Sequence, residues 1–206
     1  MPRLSEQYRA QRRAEIIAAA AKLFAANGFH ATSMADIIDE AGLSAGALYR
    51  YFSSKEELIG AVAEKFLATT DETFEMMLAD GAAPSPEHAV ATIVRASTTW
   101  MGHDVLPGVD MTRIGVQVWA EALRSPELAA RTNDVYRRLR GHFAEVARRW
   151  QAAGHLSSDA VPEQVGAVLL GLVQGSVLYR LLSTDTDSDT DTYLAGVRAL
   201  FTAQRT

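Results

Sequence analysis

Apolar residues recur at helical spacing along almost the whole chain. Near the N-terminus they predict a helix that ends at Gly28, with a buried face made by Ile16, Ala20, Leu23, Phe24 and Asn27. Sustained strand-type alternation between hairpin turns occurs nowhere in the sequence. The pattern therefore predicts an all-α fold.

Two short helices follow, and each begins after a capping serine. Ser33 precedes a helix predicted over Met34–Ala41, which Gly42 ends, and Ser44 caps a helix predicted over Ala45–Tyr51. Two short helices joined by a glycine-containing turn are typical of a helix-turn-helix, which spans about residues 33–52. The side chains expected in its core are Ile37, Ile38, Leu48 and Phe52.

A longer helix and a helical bundle are predicted after this motif. Ser54–Glu57 has the pattern of a capping box and opens a helix to about Ala79, with Leu58, Val62 and Phe66 on one stripe. After a loop at 80–86, helices are predicted near 87–103, 110–124, 126–153, 162–183 and 190–204. We divide the chain into an N-terminal domain of residues 1–56, which contains the helix-turn-helix, and a C-terminal helical domain of residues 57–206.

The charge distribution is uneven. The formal net charge is −5, yet residues 1–13 contain four arginines, Arg3, Arg9, Arg12 and Arg13, against Glu6 alone. A basic N-terminal arm on an acidic body suits contact with DNA phosphates. No apolar stretch precedes the first helix, so we expect no secretory signal and a cytoplasmic location.

Several chemistries find no support in the sequence. There are no cysteines, and the 5 histidines are scattered without a metal-ligand or nucleophile motif, so neither an enzyme nor a cofactor is expected. Asp185, Asp187, Asp189 and Asp191 alternate as in a calcium loop. Such a loop would need glycine and glutamate where the chain has Thr190 and Gly196, so we interpret the aspartates as a solvated linker and predict no metal site.

The second short helix has the residue types that a major-groove helix requires. Its first turn, Ser44–Ala47, is built of small residues, and Gly46 costs about 1 kcal/mol relative to alanine at a helical position. Close approach of the backbone to DNA bases explains this glycine. Tyr49, Arg50 and Tyr51 are not needed by the core, and with Lys55 they are suited to contact phosphates.

The N-terminal third of the chain resembles the DNA-binding domain of the tetracycline-repressor family. The stretches that carry this resemblance are Gly28–Phe29, Thr32–Ile37, Ala41–Ser44, Gly46–Phe52 and Ser54–Leu58. The resemblance implies a homodimeric regulator that reads a pseudo-palindromic operator.

The resemblance also implies roles for single residues. Phosphate contacts are implied for Ser33, Ser44, Tyr49, Tyr51 and Lys55, base-edge contacts for Ala45, Gly46 and Ala47, and either contact for Arg50. Tyr51 stands where the family often has histidine, and Ala45 where it often has a longer polar residue. Thymine methyl contacts, DNA shape and the arginine arm are therefore expected to contribute to specificity.

For the C-terminal domain, the resemblance implies an effector pocket and dimerisation through the last two long helices. Independently, segment 165–182 is apolar on nearly every face, so a partner subunit would complete its burial. Gly171 and Gly175 would allow close helix approach, although a core helix of a monomer is an alternative. Gln174 and Arg180 interrupt the segment, which argues against a membrane span.

Large or polar-tipped side chains on the middle helices are the candidates for effector contact. We select Phe66, Trp100, His103, Met111, Trp119, Phe143 and Gln174. An indole or amide inside a bundle requires a hydrogen-bond partner, which a ligand could supply.

The sequence thus predicts a ligand-responsive regulator, a repressor released from operator DNA by a small hydrophobic effector. One alternative is a helical small-molecule-binding protein with a vestigial DNA-binding head. Another is a constitutive architectural DNA-binding protein without an effector.

Overall fold

The computed structural model describes residues 6–81, 83–100, 106, 108–183 and 190–202. Every regular element in these ranges is helical, and no strand occurs in them. The predicted all-α class is confirmed.

The described helices agree closely with the predicted ones. They are α1 Glu6–Asn27, α2 Met34–Glu40, α3 Ala45–Tyr49, α4 Lys55–Met77, α5 Pro86–Trp100, α6 Met111–Ala122, α7 Pro126–Ala152, α8 Pro162–Leu182 and α9 Thr190–Thr202, with a short 3₁₀ helix at Ala79–Gly81. α3 ends at Tyr49, two residues earlier than predicted. α1 already begins at Glu6, so Arg9, Arg12 and Arg13 of the predicted arm lie on a helix.

Glycines in the left-handed backbone conformation end α1 and α2. Gly28 has φ 93° and Gly42 has φ 61°, values that residues with a Cβ rarely adopt. The Gly28 amide donates to the carbonyl of Phe24 at 3.0 Å, which closes the last turn of α1. These two glycines set the short connections on either side of α2.

Serine caps fix the starts of α2 and α3. Ser33 Oγ accepts from the Asp36 amide at 3.1 Å, and Asp36 Oδ2 accepts from the Ser33 amide at 2.7 Å. This second bond is the main reason that the pKa of Asp36 is lowered. Ser44 Oγ accepts from the Ala47 amide at 3.3 Å, as the sequence predicted.

The start of α4 differs from the predicted capping box. Ser54 Oγ accepts from the Glu57 amide at 3.2 Å, but the Glu57 carboxylate bonds to Ser53 instead of Ser54. Ser53 donates both its amide, at 2.7 Å, and its hydroxyl, at 2.9 Å, to the same carboxylate oxygen. The predicted reciprocal bond from the Ser54 amide to Glu57 was therefore wrong. The carboxylate bonds to Ser53, which offers it two donors, an amide and a hydroxyl.

The described chain divides into two compact units that are not continuous in sequence. The head unit holds the residues up to Leu67 and those from 106 to Asn133, and the bundle unit holds Ala68–Trp100 and the described residues from Asp134 onward. The head unit extends beyond the predicted domain of residues 1–56 because α6 packs against α1. The functional division at residue 56 stays a prediction.

The core of the head unit contains most of the apolar residues predicted for it. Ile16, Ala20, Phe24, Ile37, Leu48, Phe52, Leu58 and Val62 are buried. Leu23, Ile38 and Phe66 are half-buried. The prediction for Asn27 was wrong, since this residue is exposed at the last turn of α1, where its polar side chain stays in water.

The core of the bundle unit joins five helices, α4, α5, α7, α8 and α9. Its buried residues are Phe74, Ala89, Val90, Ile93, Val94, Phe143, Val146, Trp150, Leu169, Leu170, Leu194 and Val197. Trp150 also donates its indole N–H to the carbonyl of Pro84 at 2.8 Å, which holds the segment before α5 against this core.

Gly166 allows α8 to pack against the backbone of α7. A Cβ at this position would lie 2.7 Å from the backbone nitrogen of Ala144 on α7. By contrast, a Cβ at Gly171 would meet nothing within 4 Å, and one at Gly175 would meet only the Tyr193 hydroxyl at 3.5 Å. Among the described residues, a close approach of two helices therefore occurs at Gly166 and not at Gly171 or Gly175.

By length and composition α8 is able to cross a membrane, and it is the one helix in the described ranges of which this is true. A single helix of this kind is weak evidence for a membrane span, because core helices of water-soluble proteins have the same length and composition. The Gly166 contact with α7 and the position of Leu169 and Leu170 in the bundle core are those of a helix packed within a protein.

Candidate nucleic-acid interface and effector region

α3 presents its small residues outward. Ser44, Ala45 and Gly46 are exposed, and Ala47 is half-buried. A Cβ at Gly46 would meet nothing within 4 Å, and its backbone lies outside the left-handed region. Nothing within the described chain therefore requires glycine at this position.

The large polar side chains at the C-terminal end of α3 differ in exposure. Tyr49 is 51% exposed and Arg50 is exposed, whereas Tyr51 is half-buried. Leu48 and Phe52 hold the same short segment in the core. Tyr49 and Arg50 are thus free to contact a partner on the side of α3 that faces away from the core.

Ser33 is exposed, but its side chain is occupied as the cap of α2. Its hydroxyl accepts from the Asp36 amide and lies 2.7 Å from the Asp36 carboxylate. A phosphate at this position would meet a helix N-terminus whose amides are partly satisfied.

Lys55 lies at the first residue of α4, but its ammonium group turns toward the connection between α1 and α2. Nζ donates to the carbonyls of Phe29 at 2.8 Å, Thr32 at 2.9 Å and His30 at 3.5 Å, and it lies 4.6 Å from the centroid of the Phe29 ring. An ammonium has three donors, and all three have a protein acceptor here.

The connection between α1 and α2 is also bonded to α6. Gln117 Oε1 accepts from the Phe29 amide at 3.0 Å and lies 3.3 Å from where a Cβ on Gly28 would be. Glu121 also lies on α6, and its Oε2 is 4.0 Å from Nδ1 of His30. No local signal in the sequence links Gln117 to a residue 88 positions earlier.

The predicted effector residues fall into both compact units. Phe66, Met111 and Trp119 belong to the head unit, where Met111 is buried and the other two are half-buried. Phe143 and Gln174 belong to the bundle unit. The side chain of Trp100 and the whole of His103 lie outside the described residues.

In the bundle unit, Gln174 has a hydrogen-bond partner within the protein. Its Nε2 donates to the Tyr136 hydroxyl at 2.5 Å. Burial raises the pKa of Tyr136 to about 12, so this hydroxyl stays protonated at neutral pH. The amide of Gln174 therefore has one hydrogen-bond partner within the protein, and its contact with an effector stays a prediction.

A carboxylate that sequence reasoning did not select joins α4 to α7 in the same unit. Asp71 Oδ1 lies 2.6 Å from His142 Nε2, and its other oxygen pairs with Arg138. The His142 ring stacks on the Phe74 ring with their centroids 4.7 Å apart. The rings of Phe74 and Phe143 stand nearly perpendicular, with their centroids 5.2 Å apart. This polar cluster therefore borders the apolar core that contains Phe143.

No group of three or more potential metal ligands occurs among the described residues. Asp191 instead pairs with Arg95 of α5 at 2.6 Å. Asp185, Asp187 and Asp189 lie outside the described residues.

Comparison with known proteins decides the family. Residues 16–62 match the sequence model of bacterial regulatory proteins of the tetR family. The HTH-type transcriptional regulator UidR of Escherichia coli K12 is 30% identical over 167 residues, which cover 79% of this chain and 78% of UidR.

The chain belongs to the tetR family. It is a DNA-binding transcriptional regulator, and the resemblance identified from its N-terminal third is confirmed. The C-terminal part of this tetR-family regulator, residues 104–204, matches the C-terminal domain of BetI-type transcriptional repressors.

Solved structures share the fold of this tetR-family regulator along most of its length. Salmonella enterica GusR has a TM-score of 0.74 at 24% identity and covers 98% of both chains. A regulator from Saccharomonospora viridis, solved in complex with choline, has a TM-score of 0.74 at 20% identity and covers 95% of this chain and 97% of its own. At these identities the likeness concerns the fold alone.

Proposed function

We propose that this tetR-family regulator is a repressor that binds operator DNA as a homodimer and is released by a small hydrophobic effector. The observation that carries the proposal is the outer side of α3, where exposed small residues stand beside exposed Tyr49 and Arg50. A surface of this kind lets a helix backbone approach base edges while the longer side chains reach phosphates.

The proposed contacts follow the exposure of the side chains. Ala45, Gly46 and Ala47 face base edges, Ser44, Tyr49 and Tyr51 bind phosphates, and Arg50 reaches either. Ser33 contributes from the N-terminus of α2. Because the side chains of Ala45, Gly46 and Ala47 carry no hydrogen-bonding group, recognition depends on thymine methyl groups and on DNA shape.

The proposed homodimer uses α8 and α9. In the single chain, α8 exposes an apolar stripe that includes Val168, Gly171, Tyr179 and Leu182. A stripe of this composition is unfavourable in water and suits a self-complementary contact about a twofold axis.

We further propose that α6 couples effector binding to the head. This helix carries Met111 and Trp119, two of the candidate effector contacts, and also Gln117, which bonds to the connection between α1 and α2. A helix moves as a rigid element, so a ligand that displaces one part of α6 displaces the Gln117 acceptor with it. The solved relative with choline supports a small organic ligand as the effector.

The proposal also places the chain in the cytoplasm and assigns it no enzymatic activity. Its work is association with DNA, which is opposed by a ligand.

An electrophoretic mobility shift on the DNA upstream of the chain's own gene tests the proposed function. A shift that weakens steeply with salt and is reversed by one compound from a panel of small hydrophobic molecules is the expected result. No shift at low salt on that or neighbouring intergenic DNA would contradict DNA binding and favour the small-molecule-binding alternative. A shift that no compound reverses would favour the architectural alternative.

Gly46→Ala tests the proposed position of α3. Because the added methyl meets nothing within the chain, the free energy of unfolding should stay equal or rise, by up to about 1 kcal/mol. Operator affinity should fall about 10-fold, since the methyl group separates the helix backbone from the bases. Thermal unfolding and the mobility shift give the two values.

Gly141→Ala is the matched control for this change. Gly141 lies on α7, and a Cβ there also meets nothing within 4 Å. This variant should keep full operator affinity. Equal affinities for both variants would mean that α3 does not approach the bases at Gly46.

Gln117→Leu tests the coupling through α6. Loss of the acceptor leaves the Phe29 amide without its partner, so operator affinity should respond less to the effector identified in the panel. The measurement is the ratio of operator affinities with and without that effector. Gln117→Glu, which keeps a side-chain acceptor, should retain more of this ratio than Gln117→Leu, and identical ratios in all three proteins would refute the coupling role.

A further inference from the structure

Arg12 and Arg13 are adjacent on α1 but differ in what they bind. Arg12 Nη1 pairs with Glu15 at 2.6 Å, and Nη2 donates to the Tyr8 hydroxyl at 3.2 Å. The hydrogen bond to Tyr8 and the charge of Glu15 raise the pKa of Arg12. Its guanidinium is thus committed to neighbours on its own helix.

The Arg13 guanidinium instead lies over an aromatic ring. Its Cζ is 5.0 Å from the centroid of Phe52, and within the described residues it makes no hydrogen bond or ion pair. Phe52 is 1% exposed, so its ring is held in place by the core around it. A cation over a buried ring, with no acceptor bound to it, keeps its N–H groups available to a ligand.

The carboxylate near Arg13 is engaged elsewhere. Glu57 Oε2 accepts from the amide and hydroxyl of Ser53, and these bonds are the main reason that its pKa is lowered, with the charge of Arg13 a smaller cause. Arg13 therefore keeps its hydrogen-bonding capacity near the C-terminal end of α3, since Phe52 follows the last residue of α3 by only three positions.

Lys55 has the opposite arrangement. Its Nζ lies within hydrogen-bond distance of the carbonyls of Phe29, His30 and Thr32, so a phosphate contact would require breaking bonds that hold the connection between α1 and α2. Of Arg13 and Lys55, Arg13 is therefore the residue whose N–H donors are available to a phosphate.

We propose that Arg13 binds a phosphate of the DNA backbone, in the role that the family resemblance gave to Lys55, while Lys55 keeps its charge on the connection between α1 and α2. This assignment rests on the operator binding proposed above. It adds to the interface a residue from the first helix, outside the helix-turn-helix itself.

The salt dependence of operator affinity tests this proposal. Each phosphate contact contributes about 0.9 to the slope of log affinity against log salt concentration. Arg13→Met keeps an apolar stem on the Phe52 ring and removes the charge, so the slope should become shallower by about 0.9 for each protomer bound. Arg13→Lys, which keeps the charge, should retain the slope.

Arg12→Met and Lys55→Met are the matched comparisons, with thermal unfolding recorded for every variant. Both should keep the wild-type slope, and Lys55→Met should unfold at a lower temperature. An unchanged slope in Arg13→Met, or a shallower slope in Lys55→Met, would overturn the assignment. Absence of a shift for the wild-type chain would instead refute operator binding itself, so the two failures are distinguishable.

Discussion

Valine in place of Gly166 is expected to lower the free energy of unfolding by about 3 kcal/mol. The Cβ would lie 2.7 Å from the nitrogen and 3.0 Å from the Cα of Ala144, and 3.1 Å from the carbonyl carbon of Phe143. These are backbone atoms inside α7, so they cannot rotate away as a flexible side chain would. Urea unfolding followed by circular dichroism measures the loss.

The exposed glycine of α7 provides the control for this variant. A Cβ at Gly141 meets nothing within 4 Å, so Gly141→Val should change stability by well under about 1 kcal/mol. If Gly166→Val were as stable as Gly141→Val, α8 would not pack on the α7 backbone as closely as the structure has it.

Val168→Arg is expected to dissociate the proposed homodimer and to lower operator affinity on the order of 100-fold or more. Val168 is 64% exposed in the single chain, so arginine fits there without disturbing the bundle core. In the dimer, however, the arginine would be buried against the other protomer without a partner charge. Binding to two half-sites would then lose the advantage of linkage between the two heads.

Sedimentation analysis and the mobility shift measure the two consequences together. Leu123→Arg is the matched control, because Leu123 is also an exposed apolar residue, at 89%, but lies just after α6 in the head unit. It should leave the assembly unchanged. A dimeric Val168→Arg with full operator affinity would rule out this face of α8 as the dimer contact.

Local signals in the sequence account for the accuracy of the predicted helices. Ser33 and Ser44 cap helices by bonding to amides three residues later, and Gly28 and Gly42 adopt conformations that other residues avoid. Such signals depend on neighbours along the chain, so they can be recognised without the fold. The family resemblance rested on this same region.

Contacts between distant parts of the chain could not be predicted in this way. The family resemblance implied a phosphate contact for Lys55, yet its Nζ bonds to carbonyls 23 to 26 residues earlier. The Tyr136 partner of Gln174 lies on another helix, so no local pattern in the sequence pointed to this hydrogen bond. Gly166 was missed because only the position of α7 makes its missing side chain necessary.

The discontinuous head unit limits how such a regulator can be recombined. A chimera joined at residue 56 would take α1, α2 and α3 to a new C-terminal domain and leave α6 behind, so the Phe29 amide would lose the Gln117 acceptor and α1 would lose part of its cover. Exchange of DNA specificity between relatives is therefore easier by substitution on α3 than by transfer of the N-terminal segment. A transfer of the N-terminal segment would have to carry a compatible α6 with it.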